Sequence, residues 1–395
     1  MSRLNRETGF HQAEMKTVLI TGASGFIGRN LAAHLRPRND IRLLCYDLDN
    51  THAELAQWAS QADVVVHLAG VNRPKDLAEF DVGNAGSTEL LCRTLAECRR
   101  MPLVILSSSV QAQCDNPYGR SKRQAEATLR QFAAETGAPI AIFRLKNVFG
   151  KWCRPNYNSV VATFCHNIAH DLPIEISDPN RQIELVHVDD VVAAFMAEMA
   201  DAGPTCRRPP NEDTDRAIPS YMLTLGDLAG RIQSFHEMRA SLRVPDFSIR
   251  FNRQLYSTYL SYVDPEQAAY GLKIRSDARG SLAEFIKSPF AGQIFVSHTR
   301  PGVTRGNHYH QVKTEKFLVL SGEAIIRLGH IDRGETHEIH VRGEDCRVVD
   351  ILPGYAHSIT NIGSGDLVTL FWASEVFDPD RPDTYCLPLD QRAAA

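Results

Sequence analysis

The sequence is short of several features that would settle its class at once. No stretch approaches the roughly 18 apolar residues of a membrane-spanning helix, so no membrane partner is expected. No long run of one charge sign occurs and the net charge is −4, which argues against a dedicated nucleic-acid or membrane-surface binder. Nine cysteines are scattered with no Cys-x-x-Cys pair. An odd, unpatterned set in a chain of this size fits reduced thiols in a reducing compartment. Internal repeats and low-complexity tracts are missing too. The first 14 residues are polar and hold no apolar core for a signal peptide. A loose extension over residues 1–14 and a cytoplasmic location are therefore expected.

What is present is the composition of a soluble globular protein, 43% hydrophobic and 23% charged over 395 residues, enough for two domains. Strand-like runs at Thr17–Thr21, Ile41–Tyr46, Val64–Leu68, Leu103–Ser107 and Ile140–Phe143 alternate with amphipathic stretches at Asn30–Leu35, Glu89–Arg99 and Ser121–Glu135. That alternation predicts βαβ units, an α/β fold with a Rossmann-type, doubly wound parallel sheet. Residues 201–220 read as a polar surface excursion, followed by a helix over Thr224–Met238. After a junction at Ala268–Arg275 the texture becomes short β runs separated by Gly, Asp and Pro: Gln293–Ser297, Glu315–Leu320, Ala324–Leu328, Glu338–Arg342, Val348–Leu352 and Leu367–Trp372. These predict an all-β jelly roll. The expected domains are 15–270 and 271–395.

The first strand runs into Gly22, Gly25 and Gly28, with Phe26 and Ile27 between the last two. Glycine there permits a tight turn and close approach of a pyrophosphate to a helix N-terminus. The second strand ends at Asp47, about 20 residues on, where an acid that binds a ribose belongs. The Gly-x-x-Gly-x-x-Gly spacing resembles the extended short-chain dehydrogenase/reductases. So do His67-Leu68-Ala69-Gly70, Asn84 with Gly86, the serines 107–109, and Tyr118 with Lys122. In that resemblance Leu68, Ala69, Gly70 and Asn84 line the cofactor, and Ser109, with Ser108 second, holds the substrate oxygen. Tyr118 and Lys122, four apart on a helix, share a face. The ammonium should pull the phenol's pKa down from about 10 towards the working pH, so that Tyr118 exchanges a proton while hydride moves. Asn147, in Arg144–Gly150, resembles the family's residue near the sugar-nucleotide diphosphate. His187-Val-Asp-Asp190 resembles another family segment, and reads equally well as a helix cap.

Toward the C-terminus, His308 and His310 are two apart and so share a face on a strand. Glu315 leads the next run, and His357 follows Pro353-Gly354 with Asn361 beyond. These match the two cupin motifs, and three imidazoles with one carboxylate suit zinc or another divalent first-row ion. Arg279, Glu284 and Arg305 lie in segments resembling the nucleotide 4-keto-6-deoxyhexose epimerases, where such residues hold the substrate. In that family the His of Arg-Gly-x-His is the base. Here His310 stands where the family has Gln, which completes a metal set, and a metal-bound imidazole is not a free base.

Reductase and cupin on one chain, with the stretches 115–119, 147–159, 255–261, 305–310 and 378–385, resemble the CapF-type bifunctional enzymes of capsule and O-antigen synthesis. The resemblance implies a homodimer that acts on a UDP-activated 4-keto-6-deoxy derivative of an N-acetylhexosamine. The cupin would epimerise it at the 3-position, and the reductase would then reduce the ketone, giving UDP-2-acetamido-2,6-dideoxy-L-talose. It implies NADPH. Asp47, followed by Leu48 rather than Arg, argues instead for NADH, leaving Arg29 and Arg73 as partners for a 2′-phosphate; NADPH with tolerance of NADH is the expectation. Two rivals are a 4-epimerase or dehydratase whose cupin only dimerises, and a redox-sensing binding protein. Val110 and Gln111, where a dehydratase carries Asp-Glu, count against the dehydratase. Intact Ser109, Tyr118 and Lys122 count against the sensor.

Overall fold

Apolar runs without alternation demand cover on both faces, and five of them form one parallel sheet. A computed structural model describes residues 15–74, 76–201, 218–272, 274–277, 280–283, 286, 292–375 and 378–389. The expected extension at 1–14, most of the 201–220 excursion, and Arg279 and Glu284 lie outside the described residues. The described residues fall into two compact units, one within Met1–Arg144 and Phe195–Asp215, the other within Leu145–Ala194 and Arg216–Ala395.

In the first unit, strands β1 (Lys16–Thr21), β2 (Ile41–Tyr46), β3 (Val64–His67), β4 (Leu103–Ser109) and β5 (Ile140–Leu145) are ordered β2-β1-β3-β4-β5. β1 pairs in parallel with β2 and β3, and β3 with β4. Helices Phe26–Leu35, His52–Ala59, Ser87–Glu97 and Pro117–Thr136 join successive strands. Their ends are chemically marked. Thr51 and Glu54 form a capping box, while Asn116 caps the longest helix with Pro117 in its first turn and Gly137 closes it at φ 75°. Leu19, Val65, Leu91, Leu95, Val104, Leu129 and Ile142 meet in the core. Strand order reverses between β1 and β3, and the crevice at their C-terminal ends is where such sheets bind ligands.

The second unit holds a three-stranded sheet, β6 (Asn147–Phe149), β7 (Gln182–His187) and β8 (Tyr221–Thr224), with helices Val160–Ala169, Leu225–Ser241 and Arg250–Leu260. Thr224 caps the helix expected from that residue onward. β9 (Ala269–Gly271) opens the stretch expected as a junction, and it is an edge strand of the sandwich that follows. β10 (Ile274–Asp277) and β11 (Gly280–Ala283) make a hairpin. The remaining strands are β12 (Gln293–Thr299), β13 (Thr304–Tyr309), β14 (Glu315–Ser321), β15 (Glu323–His330), β16 (Thr336–Arg342), β17 (Arg347–Ile351), β18 (Tyr355–Asn361), β19 (Leu367–Ala373) and β20 (Tyr385–Cys386). They build two antiparallel sheets, β12-β19-β14-β17-β9 and β16-β15-β18-β13-β20, the expected cupin-like β-sandwich. Phe317, Ile326, Leu328, Val348, Val349, Ile359 and Trp372 fill its interior. Asn361 is fully buried, donating to the Thr299 and Gly365 carbonyls and closing the turn after β18. The eight described cysteines are free, and no helix among the described residues is long and apolar enough to cross a membrane.

One buried ionic cluster ties this unit together. Lys316 on β14 faces Asp350 on β17 and binds its carboxylate. Its ammonium also donates to the Tyr270 hydroxyl at 2.7 Å, and Arg239 stands 3.2 Å from the second carboxylate oxygen. Removing a buried anion strands its cations in a medium that penalises them. Asp350→Ala should therefore lower unfolding stability by about 3–5 kcal/mol. Urea denaturation followed by circular dichroism checks this, and a loss under about 1 kcal/mol, the scale of a surface pair, contradicts it.

Candidate functional site

At the end of β1 the chain turns through Gly22 with φ +70°. A Cβ there would lie 2.7 Å from the Ala69 nitrogen and 2.8 Å from the Leu68 carbonyl carbon, so only glycine lets this loop lie against the end of β3. A Cβ on Gly28 would come within 2.4 Å of the Gly22 carbonyl oxygen, so the helix start is packed on the loop. Gly25 is the N-cap residue and offers no side-chain cap, which leaves the first-turn N–H groups that follow it, from Phe26 onward, to an outside anion. Asp47 folds back over this loop. Its carboxylate accepts from Ser24 N at 2.7 Å and from Leu48 N at 2.8 Å.

Gly70 plays the same spatial role on the other side. A Cβ there would sit 2.6 Å from Asn84 Oδ1 and 3.2 Å from Lys122 Nζ. Asn84 lies in a π-helical turn, Asp81–Gly86, a device common at functional sites. Its amide donates to the Val71 carbonyl and to Ser121 Oγ, both at 3.0 Å, and its oxygen accepts from Val71 N. His67 beneath is structural. Thr88 Oγ1 donates to the Asn84 carbonyl, so it accepts from His67 Nε2; Thr21 Oγ1 then donates to Nδ1. Burial pushes this imidazole down to about 3, with Lys122 adding to the shift.

Tyr118 and Lys122 occupy successive turns of the Pro117–Thr136 helix. Gly119 seats that helix hard on the turn after β4, since a Cβ there would fall 2.2 Å from the Gln111 carbonyl oxygen. The phenol thereby lies near Ser109, whose hydroxyl accepts from Gln111 N at 3.2 Å and draws the phenol's pKa down. Ser108 points elsewhere: its hydroxyl donates at 2.6 Å to Glu126, which also takes two bonds from Arg144. Lys122 donates to the Ser107 carbonyl at 3.2 Å and its Nζ stands 6.0 Å from the Tyr118 ring centre. Burial drives Lys122 down to about 8, with Glu126 pulling the other way. Burial raises the Tyr118 phenol, and the influence of Ser109 only partly offsets this. The expected depression of the phenol by Lys122 is thus corrected for the chain alone: at this separation desolvation wins.

In the sandwich, His308 on β13 and His357 on β18 are cross-strand partners, after a bulge at Gly306 and Asn307 that turns the strand. Their rings lie 4.4 Å apart, and His310 is 5.0 Å from His308. Glu315, first residue of β14, comes from the opposite sheet. One ligand atom from each of the four lies within 4.8 Å of the others. The Nε2 atoms of His310 and His357 each stand 3.4 Å from a Glu315 oxygen, yet neither makes a hydrogen bond, and His357 Nδ1 is equally unmatched. Buried nitrogens without partners, aimed at a carboxylate, are what a divalent cation would satisfy. Burial holds His308 down at about 4 and lowers His357. Burial alone would raise Glu315, but the two imidazoles hold it well below the carboxylate range. An ionised carboxylate and imidazoles that resist protonation, as at Glu315, His308 and His357, are the forms that bind metal.

The substrate residues expected by resemblance direct their donors to neighbouring groups. Asn147 is exposed on β6 and donates to the Glu184 carbonyl at 3.1 Å; Arg305 on β13 donates to Thr299 Oγ1 and the His298 carbonyl. His187 accepts from Asp189 N at 3.3 Å, the helix-capping geometry. A residue the sequence reading passed over is Asp383, whose carbonyl accepts from His310 Nδ1 at 2.5 Å.

Residues 18–206 match the NAD dependent epimerase/dehydratase family, and residues 275–385 match the polysaccharide biosynthesis C-terminal domain. The chain is 43% identical, over 95% of its length and 100% of the relative's, to UDP-2-acetamido-2,6-beta-L-arabino-hexul-4-ose reductase of Pseudomonas aeruginosa. It is similar to the crystal structure of the capsular polysaccharide assembling protein CapF from Staphylococcus aureus, at 40% identity and a TM-score of 0.62, covering 94% of this chain and 99% of that one. dTDP-4-dehydro-6-deoxyglucose reductase of Escherichia coli is 24% identical over 48% of this chain and 75% of its own.

The glycine loop generates a direct test. Gly22→Ala places a side chain at positive φ against backbone, a strain of about 1–3 kcal/mol. Titration with reduced nicotinamide, followed by fluorescence, should show affinity weakened by about tenfold or more, since 1.4 kcal/mol is tenfold. Unchanged affinity would mean that the loop does not hold the cofactor.

Proposed function

We propose the following for this chain, which belongs to the family of the capsular polysaccharide assembling protein CapF: its α/β unit reduces the 4-keto group of a UDP-activated 2-acetamido-2,6-dideoxy-hexulose, and its β-sandwich first epimerises that sugar at the 3-position. The product is UDP-2-acetamido-2,6-dideoxy-L-talose. The observation that carries the reading is the gathering of Ser109, Tyr118 and Lys122 beside the Gly22, Gly70 and Asn84 crevice. The relative that matches over its whole length, named as a 4-ulose reductase, supports the substrate class. Family resemblance further implies a homodimer.

A reduced nicotinamide supplies the hydride when bound, and the residues around Gly22, Gly25, Gly28 and Gly70 would hold it. Tyr118 gives its phenolic proton to the ketone oxygen as the carbonyl carbon gains hydride; the C=O π bond breaks and C–H and O–H bonds form. A phenol raised by burial keeps its proton until that oxygen gains negative charge, which suits an acid. Ser109 holds the oxygen, and the Lys122 ammonium stabilises the phenolate left behind. In the sandwich, His308, His310, Glu315 and His357 would hold zinc or another divalent first-row ion, whose charge would polarise the ketone and acidify the neighbouring C–H. Only a ketone acidifies that position, so epimerisation precedes reduction.

Mass spectrometry of the keto sugar with enzyme in heavy water, with and without reduced cofactor, tests the whole reading. Tyr118→Phe should lower reduction by about 100-fold or more and still allow deuterium uptake. A double change, His308→Ala with His310→Ala, should abolish both metal uptake and deuterium exchange. Cofactor oxidation undiminished in Tyr118→Phe would remove the reductase assignment. Exchange that persists in the double variant would leave the sandwich a structural, dimerising module, as in the rival 4-epimerase or dehydratase reading.

Cofactor choice follows from Asp47. Its two oxygens are engaged by Ser24 and Leu48 N–H groups, which temper its repulsion of a 2′-phosphate without removing it. NADPH with tolerance of NADH is the reading. Asp47→Ser should shift the kcat/KM ratio towards NADPH by about tenfold, or 1.4 kcal/mol. Steady-state rates with each cofactor decide it, and an unshifted ratio would show that Asp47 serves only to hold the loop.

A further inference from the structure

We propose that Asp383 is a positioning residue of the cation centre, holding the loop between two ligands with its carboxylate and the ligand His310 with its carbonyl. The proposal rests on the metal reading of the four-residue cluster. Four residues separate His310 from Glu315, and none of their N–H groups enters a sheet ladder. Gln311 N donates to Asp383 Oδ1 at 2.9 Å; Val312 N and Lys313 N donate to Oδ2 at 3.0 and 2.7 Å. Thr314 N donates to Ser374 Oγ at 3.0 Å. One carboxylate therefore satisfies three of the four donors and sets the path of the chain from a ligand on one sheet to a ligand on the other.

The backbone of Asp383 has a separate task. A carbonyl oxygen only accepts, so the 2.5 Å contact with His310 Nδ1 puts the ring proton on Nδ1. Nε2 then presents its lone pair, and Nε2 is the atom that stands 3.4 Å from Glu315 with no hydrogen-bond partner. This is the outer-shell arrangement that fixes tautomer and ring orientation at metal-binding histidines. Two features show that the segment is held rather than resting there. Asp383 takes φ +39°, a conformation costly for a residue with a Cβ. On either side of it, buried Lys313 donates to the Pro382 carbonyl and to Thr384 Oγ1, both at 2.9 Å.

The full-length chain is used for the test, with Asp383→Asn and Asp383→Ala. Zn²⁺ affinity is measured by chelator competition, and Co²⁺ is added as a visible-absorption probe of ligand geometry. Asp383→Asn keeps one acceptor oxygen and should lose about tenfold in affinity, whereas Asp383→Ala should lose about 100-fold. Both should shift the Co²⁺ spectrum. Should Asp383→Ala fail to fold, Asp383→Asn carries the test alone. A merely structural residue would lower the thermal midpoint of the metal-free chain and leave affinity and spectrum per folded molecule unchanged, and that outcome overturns the proposal. A wild-type chain that binds neither ion removes the metal reading and this inference with it. A wild-type chain that binds, matched by both variants, removes this inference alone.

Discussion

An imidazole taken out of water keeps its desolvation cost unless its nitrogens find partners, about 1–3 kcal/mol for each one left unmatched. That constraint sorts the buried histidines of this chain more sharply than any motif. His67 has a threonine hydroxyl on each nitrogen and is complete. His187 accepts a backbone N–H at the start of a helix. His310 has one nitrogen matched by a carbonyl and the other bare; His357 has neither matched. Both bare Nε2 atoms face the same carboxylate, which is itself held ionised. Two sheets thus converge on a point where two imidazole nitrogens without hydrogen-bond partners face one carboxylate.

The crevice of the first unit obeys a different rule, one of backbone approach. At Gly22 and Gly70 the absent Cβ is replaced by main chain or by Asn84 and Lys122. A ligand lying along the C-terminal end of β1 therefore meets peptide groups at Gly22, and peptide N–H groups at a helix start favour phosphate, while at Gly70 it meets the Asn84 and Lys122 side chains. The same packing explains the acid–base setting. The helix that carries Tyr118 sits so close to the turn after β4 that Lys122 is buried and Tyr118 half-buried, and desolvation penalises the charged form of each. A phenol that holds its proton, beside a lysine lowered only to about 8, fits proton donation better than proton abstraction.

Much of this was legible in the sequence, since it depends on spacing. The five parallel strands lie within a residue or two of the expected runs, Gly22 lies against Leu68 and Ala69, and Gly70 lies against Asn84 and Lys122. The four cation ligands also meet, because alternation on a strand and cross-strand pairing are regular. Other features were not legible for identifiable reasons. β18, which carries His357, reads Tyr-Ala-His-Ser-Ile-Thr-Asn and lacks the apolar alternation of a strand; its polar residues His357, Ser358 and Asn361 are buried. Asp383 meets His310 through a carbonyl that every residue possesses, and the loop its carboxylate accepts from lies some 70 positions away. The direction of the Tyr118 shift depends on the balance of burial against an ammonium 6.0 Å away, and residue spacing does not measure burial.

On the proposed reading, the two centres need opposite equipment, which accounts for their being separate. Removing a proton beside a ketone requires positive charge near the oxygen and a base that is not ligated. In the sandwich all three histidines point their nitrogens into the cluster, so a bound cation would leave none of them as that base, and the base must come from a side chain outside the four ligands. Delivering hydride to the same ketone requires a proton donor at the oxygen, which the half-buried phenol would be. A fixed cation there would compete for the lone pair that Tyr118 must protonate. Once the ketone is reduced, the neighbouring C–H loses its acidity, so the order of the steps is set by the sugar and holds however the two units are arranged.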